Sequence, residues 1–507
     1  VKTFDLKSKA KSLRTKDMWF FGKNKKNKII HPAARILRAR FDAAQTTADN
    51  QRHWANADSL SADSAANIDV RRTLRNRARY EVANNSYARG IVSTLANDVV
   101  GTGPRLQMLT DDDRGNGIIE SEFMNWASQI RLAQKLRTMR MARTSDGEAF
   151  GILSINRNLN SPVKLDLRLV EADQITTPWS VFSPQGSAVS LKTNSQGQKS
   201  IVDGIEFDQF GNPAFYYVLK NHPGSVSVVF EQDYSIVDAG SMIHWFRADR
   251  PGQSRGVPEI TPALPLFAQL RRYTLAVIAA AETAADFAAV LYTDSPANGE
   301  AANLEPMDVV ALEKRMATTL PDGWKLGQIE AHQPTTTYGE FKNQILNEIA
   351  RCLNMPFNIA ACNSSGYNYA SGRLDHQTYY KSIRVDQADM ALVILDRILQ
   401  AWLDEAILIS DYLPLSWRTI MSRCRATPCH QWFWDGTEHV DPAKEAKAQQ
   451  MRLANHTTTL ADEYAKQGKD WEVELRQRAR EKQLMNELGI SQQTITTSIL
   501  EKDDESE

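Results

Sequence analysis

The hydrophobic pattern is longest and least interrupted over 261–409, where two long helical segments flank a shorter one. From Leu266 the sequence LFAQLRRYTLAVIAAAETAADFAAVLYTD holds no glycine, and no proline follows until Pro296. Thr261-Pro262 opens the segment as an N-cap followed by proline at the first helical position. Eight of the fourteen residues over 276–289 are alanine, the best helix former and the slimmest packing surface. The stretch 373–413 lacks glycine and proline and, if wholly helical, would reach about 60 Å. Helices of that length need neighbours along their whole extent, and further copies of the same chain are expected to supply them. A shorter helix is expected over 340–353. The nineteen residues 354–372, dense in Asn, Ser, Gly and Tyr, read as a functional loop, because so long a polar connection is unusual between packed helices.

Upstream, 69–100 reads as two helices and 117–141 as a third, with Phe123, Trp126, Ile130 and Leu132 among its apolar positions. Arg71, Arg72, Arg75 and Arg79 share a helical face; that stripe is expected to meet solvent or acids of a neighbouring subunit rather than DNA. From 147 to 247 the pattern turns to short β-rich runs (GEAFGILSI, VKLDLRLVEAD, GIEFDQFGNPAFYYVL, SMIHWF) separated by turn signals. Between 294 and 333 lie short helical pieces and a turn at Pro321-Asp322-Gly323. LSWRTIMSRCRA and CHQWFWDG read as strands, and helices are expected over 443–456, 460–467 and 471–488. The last of these mixes acids and bases at short spacing, which suits packing or solvent better than base reading.

At 507 residues the chain exceeds what one hydrophobic core sustains, so an α+β, multidomain protein is expected. The apolar run 275–291 is interrupted by Glu282 and Asp286, which argues for a packed helix and against a membrane span. The basic start lacks the apolar core of a secretory signal. Four cysteines do not make a disulfide framework, so a reducing compartment is expected.

Charge is uneven. Residues 1–56 carry fourteen Lys/Arg against four Asp/Glu, a surplus of ten; with the whole chain at −1, the remainder stands at −11. The leader reads as a basic disordered arm, either solvated or touching nucleic acid or an acidic partner. The acid-leaning body argues against tight nucleic-acid binding, which needs many phosphate contacts. The acidic tail EKDDESE is expected to be disordered.

No nucleotide-binding GxxxxGK[ST] and no HExxH occurs. Gly252-Gln253-Ser254-Arg255-Gly256 fits G-x-S-x-G, but Pro251 and Pro258 flank it and the helix waits until Thr261, so the strand–turn–helix context of a nucleophile elbow is missing. Cys424, Cys429 and His430 lack the paired spacing of a zinc site, and buried free thiols are expected instead. Asp111-Asp112-Asp113 reads as a solvated loop. No cofactor and no metal is expected.

Several stretches in order, RNRARYEVANNSYARGIVSTLANDVVGTG (76–103), GIEFDQFGNPAFYYV (204–218), MIHWFRADRPGQSRGVPEITPAL (242–264), GYNYASGR (366–373) and DPAKEAKA (441–448), resemble the portal proteins of tailed bacteriophages, lambda-type family. The resemblance covers about 70–450. It implies a portal-like fold assembled as a ring, typically of twelve copies, at one capsid vertex. Its parts would be a basic arm (1–30), an α/β wing (31–255), a first stem helix (256–292), a small α/β clip (293–338) and a second stem helix (339–353). A tunnel loop (354–372), a long wing helix (373–410), wing β segments (411–440), a helical crown (441–490) and an acidic tail (491–507) would follow.

On that resemblance Asn363, Ser364, Ser365, Gly366, Tyr367, Asn368 and Tyr369 would face the DNA. Arg271, Arg272, Glu282 and Asp286 would line the channel in the stem, and Asp308, Glu313, Lys314 and Arg315 would dock a partner in the clip. Implied partners are further copies of the chain, double-stranded DNA passing without sequence specificity, the large terminase subunit, the head–tail adaptor and the major capsid or scaffold protein, with no membrane. The implied place is the virion, and the host cytoplasm during assembly. The protein would be a conduit and not an enzyme. Two other readings are a non-ring DNA-binding protein using the basic arm and C-terminal helices, and a serine hydrolase acting through Ser254.

Overall fold

The computed structural model describes residues 51–177, 200–225, 233–286, 290–293, 324–327, 337–413, 429–436 and 442–490. Val1–Ser59 and Leu60–Glu507 are separate compact units, and all helices and strands described belong to the second.

Polar caps fix where the first helices start. α1 (Ala62–Ala65) begins at Ser61, and α2 (Ile68–Asn84) begins at Asn67, whose side chain accepts from the N–H groups of Asp69 and Val70. Asn85 stops α2 and caps α3 (Ser86–Val100) by accepting from Tyr87 and Ala88; such caps satisfy donors that the first helical turn cannot pair. Along α3, Ala88, Ile91, Leu95 and Val99 form one buried face at helical spacing. After β1 (Arg105–Met108), α4 (Asp113–Gln129) starts at Asp112, which accepts from Gly115. The acidic run 111–113 is therefore a helix start and not the solvated loop expected. The single helix expected over 117–141 is two, because Arg131 adopts a left-handed φ of 54° before α5 (Leu132–Asp146). Gly147 ends α5 at φ 91°, where a Cβ would lie 2.4 Å from the Val257 carbonyl carbon; only glycine permits that crossing.

Among the described residues, seven strands give 147–247 its expected β character. β2 (Glu148–Ile155) and β3 (Leu165–Val170) pair antiparallel, with Phe150 opposite Val170. β4 (Ser200–Val202), β5 (Ile205–Phe207), β6 (Pro213–Leu219) and β7 (Tyr234–Asp238) form an antiparallel sheet in sequence order. β8 (Met242–Phe246) returns to β2, giving the first sheet the order β3-β2-β8.

α6 (Leu264–Asp286) is entered through a 3-10 turn at Thr261–Ala263 that holds Pro262 near its start. It stops at Asp286, and β9 (Val290–Thr293) pairs antiparallel with β10 (Trp324–Gly327). The run expected to stay helical to 292 thus ends as a strand, in keeping with the β-favouring Val290, Tyr292 and Thr293. α7 (Thr337–Arg351) and α8 (Phe357–Ala360) lead to α9 (Tyr369–Met390), which continues through a π-helical stretch at Ala391–Leu395 into α10 (Asp396–Ala406). This combined helix, about 57 Å long, begins before 373 and stops at Ala406, short of the expected 410. β11 (His430–Phe433) pairs with β1, and α11 (Pro442–Ala454), α12 (Leu460–Lys466) and α13 (Trp471–Glu487) close the described chain. The segment LSWRTIMSRCRA lies outside the described residues.

Aromatic packing ties distant parts together. Phe123 of α4 lies 5.3 Å from Trp126, 5.5 Å from Trp402 of α10 and 5.7 Å from Trp432 of β11, between ring centroids. The Trp126 indole N–H donates to the Leu165 carbonyl at 2.8 Å, so the one polar atom of that ring is satisfied in the core.

The arginine face of α2 corrects the expectation made for it. Arg71 and Arg75 are buried and pair within the chain: Arg71 with Asp203 at 2.5 Å, and Arg75 with Asp173 at 2.7 Å and Glu148 at 3.7 Å. Arg79 reaches Asp146 at 2.8 Å and Asp173 at 2.9 Å, and only Arg72 of the four stays exposed, beside Asp69. The reason is energetic, since a buried guanidinium is tolerated only when its charge and donors are matched. Glu148 gathers Arg255 at 2.6 Å and His244 at 3.2 Å. Burial alone would raise its carboxyl, but Arg255 and His244 outweigh that and hold it well below the usual carboxylate range.

A second knot joins α5 to the turn before α6 and to α9. Glu259 accepts from Arg140 at 2.8 Å and Arg143 at 3.0 Å, and the same arginines reach Asp386 and Asp389. Burial pushes the Glu259 carboxyl up, but Arg140 and Arg143 win and bring it to about 2 from 4.5. With the folded value below the unfolded one, this stability is present above pH 4.5 and is lost as pH falls towards 2. Glu259→Gln should cost on the order of 3 kcal/mol at neutral pH and flatten the acid side of the stability–pH curve. Urea unfolding of both chains between neutral pH and the lowest pH at which they fold checks it.

Candidate functional site

α6 and α7 pack along one side of each other. Tyr273 stands 5.7 Å from Tyr338 and 5.1 Å from Phe341, and the Tyr338 hydroxyl donates to Thr274 at 3.2 Å. Phe267, Leu270 and Val277 are the buried side of α6. Its other side presents Arg272, Ala276, Ala279 and Glu282 to solvent together with Leu275, 61% exposed, and Ile278, 49% exposed. The exposed side therefore mixes two charges with four apolar residues, and exposed aliphatic side chains grouped in this way are common where another surface packs.

The four stem residues separate by direction. Arg272 and Glu282 are exposed. Arg271 is half-buried against α2, 3.8 Å from Glu81, with its guanidinium 5.0 Å above the Tyr80 ring. Asp286 is the last residue of α6, and its side chain lies outside the described residues. The positions Asp308, Glu313, Lys314 and Arg315 also lie outside them; from 293–338 the structure gives the β9–β10 pair and the start of α7.

The connection from α7 to α9 is more ordered than its composition suggests. α8 interrupts it, with Asn358 buried and its amide nitrogen 2.9 Å from His376 Nε2 on α9. Cys362 turns the chain at φ 52°. The Asn363 N–H then donates to the Asn358 carbonyl at 3.0 Å, and the Asn363 side chain accepts from Ser365 at 3.0 Å. Tyr367 N–H donates to the Ser364 carbonyl at 3.1 Å, and Asn368 caps α9 in a reciprocal box with Ser371. Asn363, Ser364, Ser365, Gly366 and Asn368 are exposed. Tyr367 is half-buried, and burial followed by the nearby Asp375 pushes its phenol up. Tyr369 already belongs to α9, and its side chain lies outside the described residues. The exposed connection is thus a short tip at 363–368, between α8 and α9, instead of a nineteen-residue loop. Over the whole of 352–372 the sequence has no ionisable acid or base other than cysteine and tyrosine. The tip can offer hydroxyl and amide hydrogen bonds but no ion pair.

Ser254 is committed elsewhere. Its hydroxyl donates to Asp63 at 2.9 Å and its N–H to the same carboxylate at 2.7 Å. A nucleophile needs a base that accepts its proton and is itself oriented by a third group; a lone aspartate at the start of α1 is not that. Arg255 is buried on Glu148, and a Cβ at Gly256 would lie 2.1 Å from the Gly147 carbonyl oxygen. GQSRG is a close backbone crossing next to the ion-pair knot.

Glu171, Asp173 and His222 bring ligand-type atoms within 4.8 Å of one another, a convergence the sequence did not reveal. They do not suit a metal. Asp173 already holds Arg75 and Arg79, and Arg79 also reaches Glu171 at 3.2 Å. His222 Nδ1 accepts from the Gly224 N–H at 3.0 Å, so the neutral ring carries its proton on Nε2, the atom facing the acids, and has no lone pair to give. The cysteines also differ in part from expectation. Cys429 is disulfide-bonded, its partner lying outside the described residues, and Cys362 is exposed. Among the described residues only Cys352 fits the pattern of a sheltered free thiol, pushed up to about 11 by burial.

Residues 48–387 match the family model described as phage portal protein, lambda family. A probable portal protein of Halomonas phage phiHAP-1 is 24% identical over 447 residues, 82% of this chain and 81% of that protein. Among solved structures, a chain of the virion of native gene transfer agent particle aligns at TM-score 0.40 and 13% identity, covering 70% of this chain and 89% of that one. An HK97 family phage portal protein from Corynebacterium diphtheriae aligns at 0.28 and 13%, covering 59% and 85%.

A serine-directed phosphonate probe should leave the purified chain unlabelled, and Ser254→Ala should cost about 2 kcal/mol for the lost hydrogen bond to a charged acceptor. Mass spectrometry after probe treatment and a thermal melt check the two halves.

Proposed function

The chain belongs to the lambda family of phage portal proteins, and from that premise we propose that it assembles as a ring, dodecameric in form, at one vertex of the capsid. Double-stranded DNA would enter and leave through the ring. The large terminase subunit would dock on it during packaging and the head–tail adaptor afterwards, with the major capsid or scaffold protein around it. The observation that carries the ring is the outer side of α6. Leu275 and Ile278 are exposed there beside the slim Ala276 and Ala279, with Arg272 and Glu282 at either end, and a slim, partly apolar helix face suits close packing against the same helix of a neighbouring copy.

In this reading α6 and α7 are the stem, with Arg272 and Glu282 as its exposed charges and Asp286 at its lower turn. Arg271 serves the protomer by neutralising the buried Glu81. The tip Asn363–Asn368 faces the DNA, where hydroxyls and amides touch phosphates without the counterion release that makes binding strong and salt-dependent. The acid-leaning body outside the basic arm limits grip further, so the duplex slides. The segment 293–338, with Asp308, Glu313, Lys314 and Arg315, takes the docking role.

Replacing Asn363–Tyr367 by two glycines, with the Asn368 cap kept, should leave the oligomer intact and lower packaged or retained DNA by roughly tenfold, a change equivalent to about 1.4 kcal/mol. Native mass and a DNase-protection packaging assay read the two effects. Unchanged packaging would remove the tip from contact with DNA, and loss of the oligomer would make it an assembly element instead.

A further inference from the structure

Beside β3, away from both ion-pair knots, an open concavity of about 720 Å³ is lined by the ends of β2 and β3 and the turn between them. Ile155 is 75% exposed at its rim. Lys135 is neutralised there by Asp166 at 2.6 Å, and Asn156 donates to the same carboxylate at 2.9 Å. Arg157 and Arg168 both line the hollow, both are exposed, and among the described residues neither has an acidic partner. Arg71, Arg75, Arg79, Arg140, Arg143 and Arg255 are paired within the fold, whereas these two cations stand together in one hollow beside an exposed isoleucine, open to a partner outside the described fold. β3 is an edge strand of its sheet, so the hollow is reached from the side.

We propose that this concavity receives the acidic C-terminal segment 495–507 of the chain. That segment, ITTSILEKDDESE, places two aliphatic residues, Ile499 and Leu500, directly before five acids and one lysine. Its chemistry matches the hollow in both respects: the aliphatic pair covers Ile155, and the acids meet Arg157 and Arg168. The chain outside the structure is also long enough to return. The eight residues between Ile490 and Ile499 span about 30 Å when extended, enough to lie back along α13, which is about 26 Å long and is tied at its start to the core, where Gln107 donates to Asp470 at 3.0 Å. A duplex is the weaker match, because a phosphate backbone has no use for the exposed isoleucine and the hollow already contains Asp166. The inference stands whether or not the chain forms a ring.

The test uses a fluorescent peptide of residues 495–507 titrated into the chain lacking 491–507, which keeps every described element. Saturable binding is expected, weakened roughly tenfold by Arg157→Gln with Arg168→Gln and weakened by added salt. The full-length chain should bind the peptide less well, since its own tail competes. A peptide with Asp503→Asn, Asp504→Asn and Glu505→Gln should bind as poorly as the arginine variant, a comparison that leaves the folded chain untouched. No binding to the truncated chain would overturn the proposal. So would equal affinity of the neutralised peptide, or binding indifferent to the two arginines. Retention of a duplex at these arginines without peptide binding would assign the hollow to nucleic acid instead.

Discussion

Two buried carboxylates, Glu148 and Glu259, hold the architecture together. Glu259 sits in the turn before α6 and takes Arg140 and Arg143 from α5, while those arginines reach Asp386 and Asp389 on α9. The Trp245 indole N–H on β8 donates to Asp389 at 2.7 Å, and the Arg143 guanidinium lies 4.4 Å over its ring. Glu148 does the same for α2, β2, β8 and the 255–256 turn. Removing one partner would strand a charge in a low-dielectric interior, which costs far more than the pair contributes over an apolar replacement. The geometry of α6 relative to α9, and so of the 363–368 tip between them, depends on those charges staying matched.

Much of this could be read in the sequence, and the parts that could not have physical reasons. The helix start at Trp471, the β character of 147–247 and the structural role of GQSRG follow from periodicity, turn signals and flanking prolines. Thr261 does not cap a helix as expected: it opens a 3-10 turn that follows Ile260 without a side-chain cap, and α6 starts at Leu264. The inward turn of Arg71, Arg75 and Arg79 does not, because their acids lie far along the chain at Asp146, Glu148, Asp173 and Asp203. A trace was present nonetheless. Glu148 opens a strand that is otherwise apolar, and Arg140 and Arg143 lie on the same side of α5 as Leu136 and Met139. A charge in such a place needs a partner. The 354–372 loop looked long because Phe357–Ala360 is too short a helix to give a periodic signal, and because the Asn368–Ser371 cap lies inside a serine- and asparagine-rich run. The end of α6 at Asp286 was hidden by alanines continuing past it.

The chemistry of the tip and of the body fit a conduit for DNA. A surface meant to hold a duplex uses many lysines and arginines; the exposed tip residues here carry none, and the chain beyond its first 56 residues is net acidic. The tight turns through Cys362, Asn363 and Ser364 give the tip a defined shape without giving it charge. Such a surface suits the passage of a polyanion proposed for it.

The most direct measurement is electron imaging of the purified chain with native mass on the same sample. Closed rings with a central channel are expected, with a mass that is a whole multiple of one chain, twelve in the proposed form. A uniform monomer at every concentration, alone and with the capsid or scaffold protein added, would contradict the proposed ring.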